Sequence, residues 1–289
     1  MAEPVDSAAA VAAGRRMAET ILARRAAIMR TSHAKDNGLV LAVGDSWFDY
    51  PLYDILKKLE DEHGYTAASA AHAGQAVEAM ASQGGQIDQL ARLFEKVAAL
   101  GQVPKAILVS GGGNDIAGKE FGMLLNNATS PIGGWNAEIL DGLIQQRIAT
   151  AYRTLIAAIQ TVAQYYLHEE LPVVVHGYDY PVPDGRGVLG GFWVLPGPWL
   201  EPGFHEKRFE DLAMNVKLMH DIIDRFNAML TALVRDPAFA NVHYIDLRGT
   251  LKTQLAGDVY KQTWGNELHP TEAGFSTIAN RFASELAKL

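Results

Sequence analysis

Hydrophobic positions along this chain follow two alternating rhythms. Short runs without internal charge, at residues 39–44, 66–70, 106–110, 172–177 and 242–247, read as buried strands. Between them, apolar residues recur every three or four positions, as on one face of a helix. Leu52, Ile55, Leu56 and Leu59 form one such stripe. Pro51 suits its first turn and Gly64 its end. Ile87, Leu90, Phe94 and Val97 form the next, closed by Gly101. Ile148, Tyr152, Leu155, Ile159 and Val162 continue the series, followed by Leu212, Val216, Met219, Ile223, Phe226, Leu230 and Leu233. Phe275, Ile278, Phe282 and Leu286 complete it. Strands alternating with helices predict an α/β domain, with right-handed crossovers and a parallel sheet covered on both faces. Ligands of such sheets bind at the carboxyl ends of the strands.

Two regions break the rhythm. Residues 116–136 are rich in Gly and Asn. Residues 181–205 carry five prolines and the aromatics Phe192, Trp193, Trp199 and Phe204 beside Leu200. Both exceed ordinary connections, which marks each as a binding loop or lid. Phe192 and Trp193 are candidates to line an acyl or sugar pocket, the alternative being a satellite core beneath the loop.

Composition narrows the chemistry. With 289 residues, 48% of them hydrophobic, the chain can bury one large core without cross-links. The absence of cysteine excludes thiol catalysis, disulfides and Cys-ligated metals. Acidic residues outnumber basic ones 33 to 25, which argues against non-specific nucleic-acid binding. No run is long and apolar enough to span a bilayer. The alanine-rich stretch at 5–30 carries Arg15, Arg16, Arg24, Arg25 and Arg30. Glu19, Arg24 and Arg25 interrupt any signal-like apolar run, so a cytoplasmic location is expected. Residues 1–37 read instead as an accessory helix, packed on the domain at 38–289 or on a second copy in a homo-oligomer.

The strand ends hold a consistent set of residues. The first run ends at Gly44-Asp45-Ser46 and the second leads to Ala71-His72-Ala73-Gly74. The third ends at Gly111-Gly112-Gly113-Asn114-Asp115, and Asn266-Glu267-Leu268-His269-Pro270 precedes the last helix. In this order of Ser, Gly, Asn and His the chain resembles the GDSL/SGNH hydrolase superfamily over roughly residues 38–289. The resemblance implies a flavodoxin-like three-layer α/β/α sandwich with strand order 2-1-3-4-5, and no cofactor. It further implies Ser46 as nucleophile and His269 as general base and then acid. The backbone N–H groups of Ser46 and Gly74 and the Asn114 amide would form the oxyanion hole. Chemistry agrees: acyl transfer places negative charge on a carbonyl oxygen, which preorganised neutral donors stabilise. Glycine at 74 lets its N–H approach closely, since a Cβ there is expected to obstruct. Asp45 and Asp115 are read as braces for their neighbours. Trp47, Phe48, Tyr50 and Tyr178 are candidate walls of the pocket.

One position departs from the family pattern. Asn266 stands three residues before the histidine, where the family usually has Asp. An amide can accept from the imidazole Nδ1–H but supplies no charge to the imidazolium. Asn266 and a backbone carbonyl are the favoured orienters of the ring, with Glu267 a third. The expected activity is hydrolysis of a small-molecule or carbohydrate ester. An acyltransferase using the same residues, or a catalytically weak binding protein, is the alternative. Gly185-Arg186-Gly187-Val188-Leu189-Gly190 matches a dinucleotide fingerprint, but the flanking prolines deny it a strand and a helix. The nine histidines form no metal motif, and no metal is expected.

Overall fold

The computed structural model describes residues 36–289 apart from 52, 83, 119 and 189–196. The helix expected over 1–37 therefore lies almost wholly outside the described residues, as do Phe192 and Trp193. Five strands form one parallel sheet: β1 (Leu39–Val43), β2 (Thr66–Ser69), β3 (Ala106–Val109), β4 (Val173–His176) and β5 (Val242–Ile245). Their order across the sheet is β2-β1-β3-β4-β5. Every residue of β1, β3 and β4 is buried, because helices cover both faces and leave no solvated side for polar residues. Ala42 pairs with Ser69 on one side and Leu108 on the other, which brings the carboxyl ends of the first three strands level.

The long helices are α1 (Ile55–His63), α2 (Gln86–Ala99), α3 (Ala149–Leu167), α4 (Leu212–Val234) and α5 (Glu272–Leu286). Right-handed crossovers place α1 on the face opposite α2, α3 and α4. The packing agrees: α1 lies against α5, α2 against α3, and α3 against α4. Phe275, Ile278, Phe282 and Leu286 of α5 are fully buried, each contributing about 1.5–3 kcal/mol of transfer free energy. Helix α1 starts later than Pro51 implies. Its cap is Asp54, whose carboxylate accepts from the Lys57 N–H at 2.8 Å and outcompetes the proline turn as a start signal. Gly64 ends it in the left-handed conformation, φ 68°.

The irregular regions are more ordered than their composition implies. Residues 121–124 form a 3₁₀ turn, and Leu125–Asn126 pairs antiparallel with Gly134–Trp135. Ala137–Asp141 runs through a π-helical stretch, Gly142–Ile148, directly into α3. The proline-rich segment ends in a short helix, Glu201–Glu206, with Pro202 in its first turn. There Phe204 is fully buried against Phe121, ring centres 5.1 Å apart, so the two excursions share a satellite core. Among the described residues no helix is long and apolar enough to cross a membrane.

Candidate active site

The sheet delivers Ser46 on a tight turn after β1. Gly44 precedes it where a Cβ would come within 2.8 Å of the Ser110 Cβ and 2.9 Å of the Phe48 ring, so only glycine fits. Asp45 is buried and braces the turn. Its Oδ1 accepts from the Trp47 N–H at 3.0 Å and the Ser110 hydroxyl at 2.7 Å; its Oδ2 accepts from the Tyr178 hydroxyl at 2.5 Å. Burial, reinforced by the Asp45 carboxylate, raises the Tyr178 phenol well above its ordinary pKa and keeps it a donor.

His269 arrives from the opposite end of the chain, just before α5. Its Nε2 lies 2.7 Å from Ser46 Oγ. Its Nδ1 lies 3.1 Å from Asn266 Oδ1, which also accepts from the backbone N–H groups of Leu268 (2.9 Å) and His269 (2.8 Å). Those two donors fix which end of the amide faces the ring. The other end donates to the Tyr50 hydroxyl at 3.2 Å, while the Tyr50 ring stacks on the imidazole at 4.4 Å. With an acceptor at Nδ1, the proton sits there and the Nε2 lone pair faces the serine. Burial depresses the His269 pKa to about 3, so the ring is neutral near neutral pH. The Trp47 indole N–H donates to Leu268 O at 3.0 Å and ties the serine turn to the histidine segment.

Glu267 is committed elsewhere. Its buried carboxylate accepts backbone N–H bonds from Gly185 (2.9 Å), Trp199 (2.6 Å), Leu200 (2.8 Å) and Glu201 (3.0 Å). One side chain thus pins both feet of the proline-rich excursion beside the histidine. Of the three orienters left open by the sequence, Asn266 is the one beside Nδ1.

Gly74 sits in an exposed turn after β2 at φ +83°. An added Cβ would meet nothing within 4 Å, so the turn calls for glycine through its left-handed backbone and not through crowding by the protein. Asn114 lies on the short helical turn Gly113–Ile116, and its Nδ2 donates to Gln75 O at 3.2 Å. Asp115 accepts from the Val77 N–H at 3.0 Å. Gln86, buried at the start of α2, completes the arrangement. Its Oε1 accepts from Gly44 N at 2.6 Å, and its Nε2 donates to Gly44 O and Gln75 Oε1, both at 2.7 Å. A single amide therefore joins the end of β1 to the loop that carries Gly74.

A cavity of about 50 Å³ adjoins Ser46, Asn114 and His269, with Trp47 and Tyr178 in its walls. Phe48, expected as a wall, instead turns inward and packs on His176 and Phe282 at 5.8 and 5.9 Å. Trp47 also packs on His176, at 5.6 Å, so the two neighbouring aromatics share that partner and only Trp47 reaches the cavity.

The family model for GDSL-like lipases and acylhydrolases matches residues 40–282. The chain belongs to that family. It is accordingly a hydrolase acting on ester bonds. Solved structures similar to this GDSL-like hydrolase include a GDSL-like lipase from Bacteroides thetaiotaomicron, with 13% identity, TM-score 0.41, and coverage of 94% of this chain and 97% of that one. Another is a mutant of an acetylxylan esterase from Geobacillus stearothermophilus, with 13% identity, TM-score 0.43, and coverage of 88% and 96%. Comparison with curated proteins returns no significant match.

Several residues of this hydrolase site escape sequence reasoning. Gln86 reads as an ordinary helix-start residue. Met219 and Ile223 of α4 line the cavity yet share the stripe that packs the core. Of the proline-rich segment, Leu200 also lines the cavity, and Trp199 meets the His269 ring edge-on at 5.6 Å.

Proposed function

We propose that the protein is a serine ester hydrolase working through an acyl-enzyme on Ser46. The observation carrying this reading is the 2.7 Å contact between Ser46 Oγ and His269 Nε2, with Nδ1 of the same ring held on Asn266. As Ser46 Oγ attacks the ester carbonyl, its proton passes to Nε2 and the carbonyl oxygen becomes an alkoxide. The N–H groups of Ser46 and Gly74 and the Asn114 amide receive that charge. Asn114 has two amide protons, so one remains for the oxyanion while the other holds Gln75. Each donor is worth about 3–4 kcal/mol to the transition state. Collapse breaks the bond to the alcohol, which departs with the Nε2 proton. Water then gives a proton to Nε2, attacks the acyl-enzyme, and releases the acid as the proton returns to Oγ.

The depressed basicity of His269 fits a neutral base, and Asn266 fits an orienter that adds no charge. The substrate class is a small-molecule or carbohydrate ester. An intact-mass measurement after exposure to a fluorophosphonate tests the assignment. One adduct on the peptide containing Ser46, absent in Ser46→Ala, is the expected result. An activated-ester assay should show at least a ~10³-fold loss for Ser46→Ala. Equal rates for the variant and the wild type would exclude Ser46 as nucleophile.

A further inference from the structure

We infer that Arg186 is a positioning residue for the catalytic histidine, acting by fixing the backbone on both sides of Asn266. The inference rests on the Ser46 acyl-enzyme reading. Arg186 belongs to the glycine-flanked run at 185–187, which lacks the strand and helix of a nucleotide site. Its Nη1 donates to Trp264 O and to Gly265 O, both at 3.1 Å. Its own backbone carbonyl accepts from the Glu267 N–H at 3.2 Å. One residue from a distant loop thus holds positions 264, 265 and 267, and Asn266 sits between them.

The guanidinium is itself fixed. Its Nε donates to Asp184 Oδ2 at 2.5 Å, and the same oxygen accepts from the Tyr260 hydroxyl at 2.8 Å. The Asp184 side chain is only 7% exposed, so solvent screens this pair little. The Tyr260 ring lies beneath the guanidinium at 5.3 Å. A planar fork can hold Asp184 through one nitrogen and two carbonyls through another, whereas an ammonium on a flexible stem offers a single point. Gly185 turns the chain at φ +79°, and its N–H donates to Glu267 Oε1 at 2.9 Å, which closes the bracket from the other side.

The route from this bracket to the imidazole is short. Asn266 Oδ1 lies 3.1 Å from His269 Nδ1, and His269 O accepts from the N–H groups of Gly265 (2.8 Å) and Asn266 (3.2 Å). Bracketed backbone, orienting amide and ring therefore form one hydrogen-bonded turn. The cavity wall beside Ser46 is built, among the described residues, without Arg186. Loss of the bracket thus moves Nε2 relative to Ser46 Oγ and leaves the surface that meets substrate in place.

Fluorophosphonate labelling separates placement from folding: the rate reports how well the imidazole activates Ser46, and the labelled fraction reports how much protein is folded. Arg186→Met and Arg186→Lys, the second of which keeps the charge and loses the fork, should each slow labelling roughly 10–100-fold. The labelled fraction should stay unchanged, and kcat for p-nitrophenyl acetate should fall in parallel while KM stays within about threefold. In an Asn266→Ala background the same substitutions should change the rate by less than about twofold, because their route to the histidine is gone. Equal losses in the two backgrounds overturn the assignment and leave the serine mechanism standing. So does a loss confined to KM or to the labelled fraction, and so does Arg186→Lys at the wild-type rate. Labelling absent from the wild type, or surviving Ser46→Ala, overturns the Ser46 reading and this inference with it.

Discussion

Asn266→Asp is the most informative single change in the site. In the wild type, the oxygen facing Nδ1 accepts three N–H groups, and the amide nitrogen donates to Tyr50. A carboxylate keeps all three acceptor contacts, and the Tyr50 hydroxyl has only to rotate and become a donor. Burial raises the Tyr50 pKa, which keeps its proton available for that bond. The gain is charge. A hydrogen bond to an ionised acceptor contributes about 1.5–3 kcal/mol against about 0.5–1.5 for a neutral one. The difference, about 1–1.5 kcal/mol, favours imidazolium and corresponds to about tenfold in turnover if it is fully expressed at the transition state. The same energy should move the acid limb of the kcat profile upward by about one pH unit, since a stronger base is protonated at higher pH. Wild type, with His269 depressed to about 3, should stay active further into acid than the variant. Stopped-flow kcat against pH with an activated ester measures both effects. An Asn266→Asp enzyme with lower turnover and an unmoved acid limb would show that residue 266 does not orient the histidine.

Three further outcomes are expected. Stability should fall as pH drops from about 6.5 towards about 3, because the unfolded chain binds a proton that buried His269 refuses. Burial holds His176 and His220 down in the same direction, and His269→Gln should flatten part of this slope in calorimetry across pH. Gln86→Met, near-isosteric but without polar atoms, should lower kcat roughly 10–100-fold with little change in KM, because it loosens the oxyanion loop and not the binding cavity. An equal change in KM, measured by initial rates, would argue against that role. Glu267→Gln sets an amide donor against backbone donors, and should cost about 2–4 kcal/mol and lower the melting temperature by roughly 5–10 °C.

The sheet and its covering helices are legible in the sequence because buried parallel strands tolerate no charge and amphipathic helices repeat faithfully. The residues at strand ends are legible because the chain leaves a strand on short, restricted turns. What stays hidden is whatever depends on the third dimension. Gln86 meets Gly44 across 42 residues, and nothing local to either marks the pair. Met219 and Ile223 keep the same periodicity whether they face the sheet or a cavity. Phe48 and Trp47 are adjacent, equally aromatic and both buried, and nothing local in the sequence marks Trp47 alone as reaching the cavity. At Gly74 the residue type is readable from sequence, yet the open space around it shows that the reason lies in the backbone angle. Pro51 marks a turn, and the helix waits for the carboxylate of Asp54.

The contact between Ser46 and His269 spans 223 positions of sequence. On the proposed mechanism, a chain under synthesis therefore carries an inert hydroxyl at residue 46 until His269 has followed it, and only then acquires a nucleophile. On that mechanism, the onset of esterase turnover would report that the two distant segments of the domain have come together.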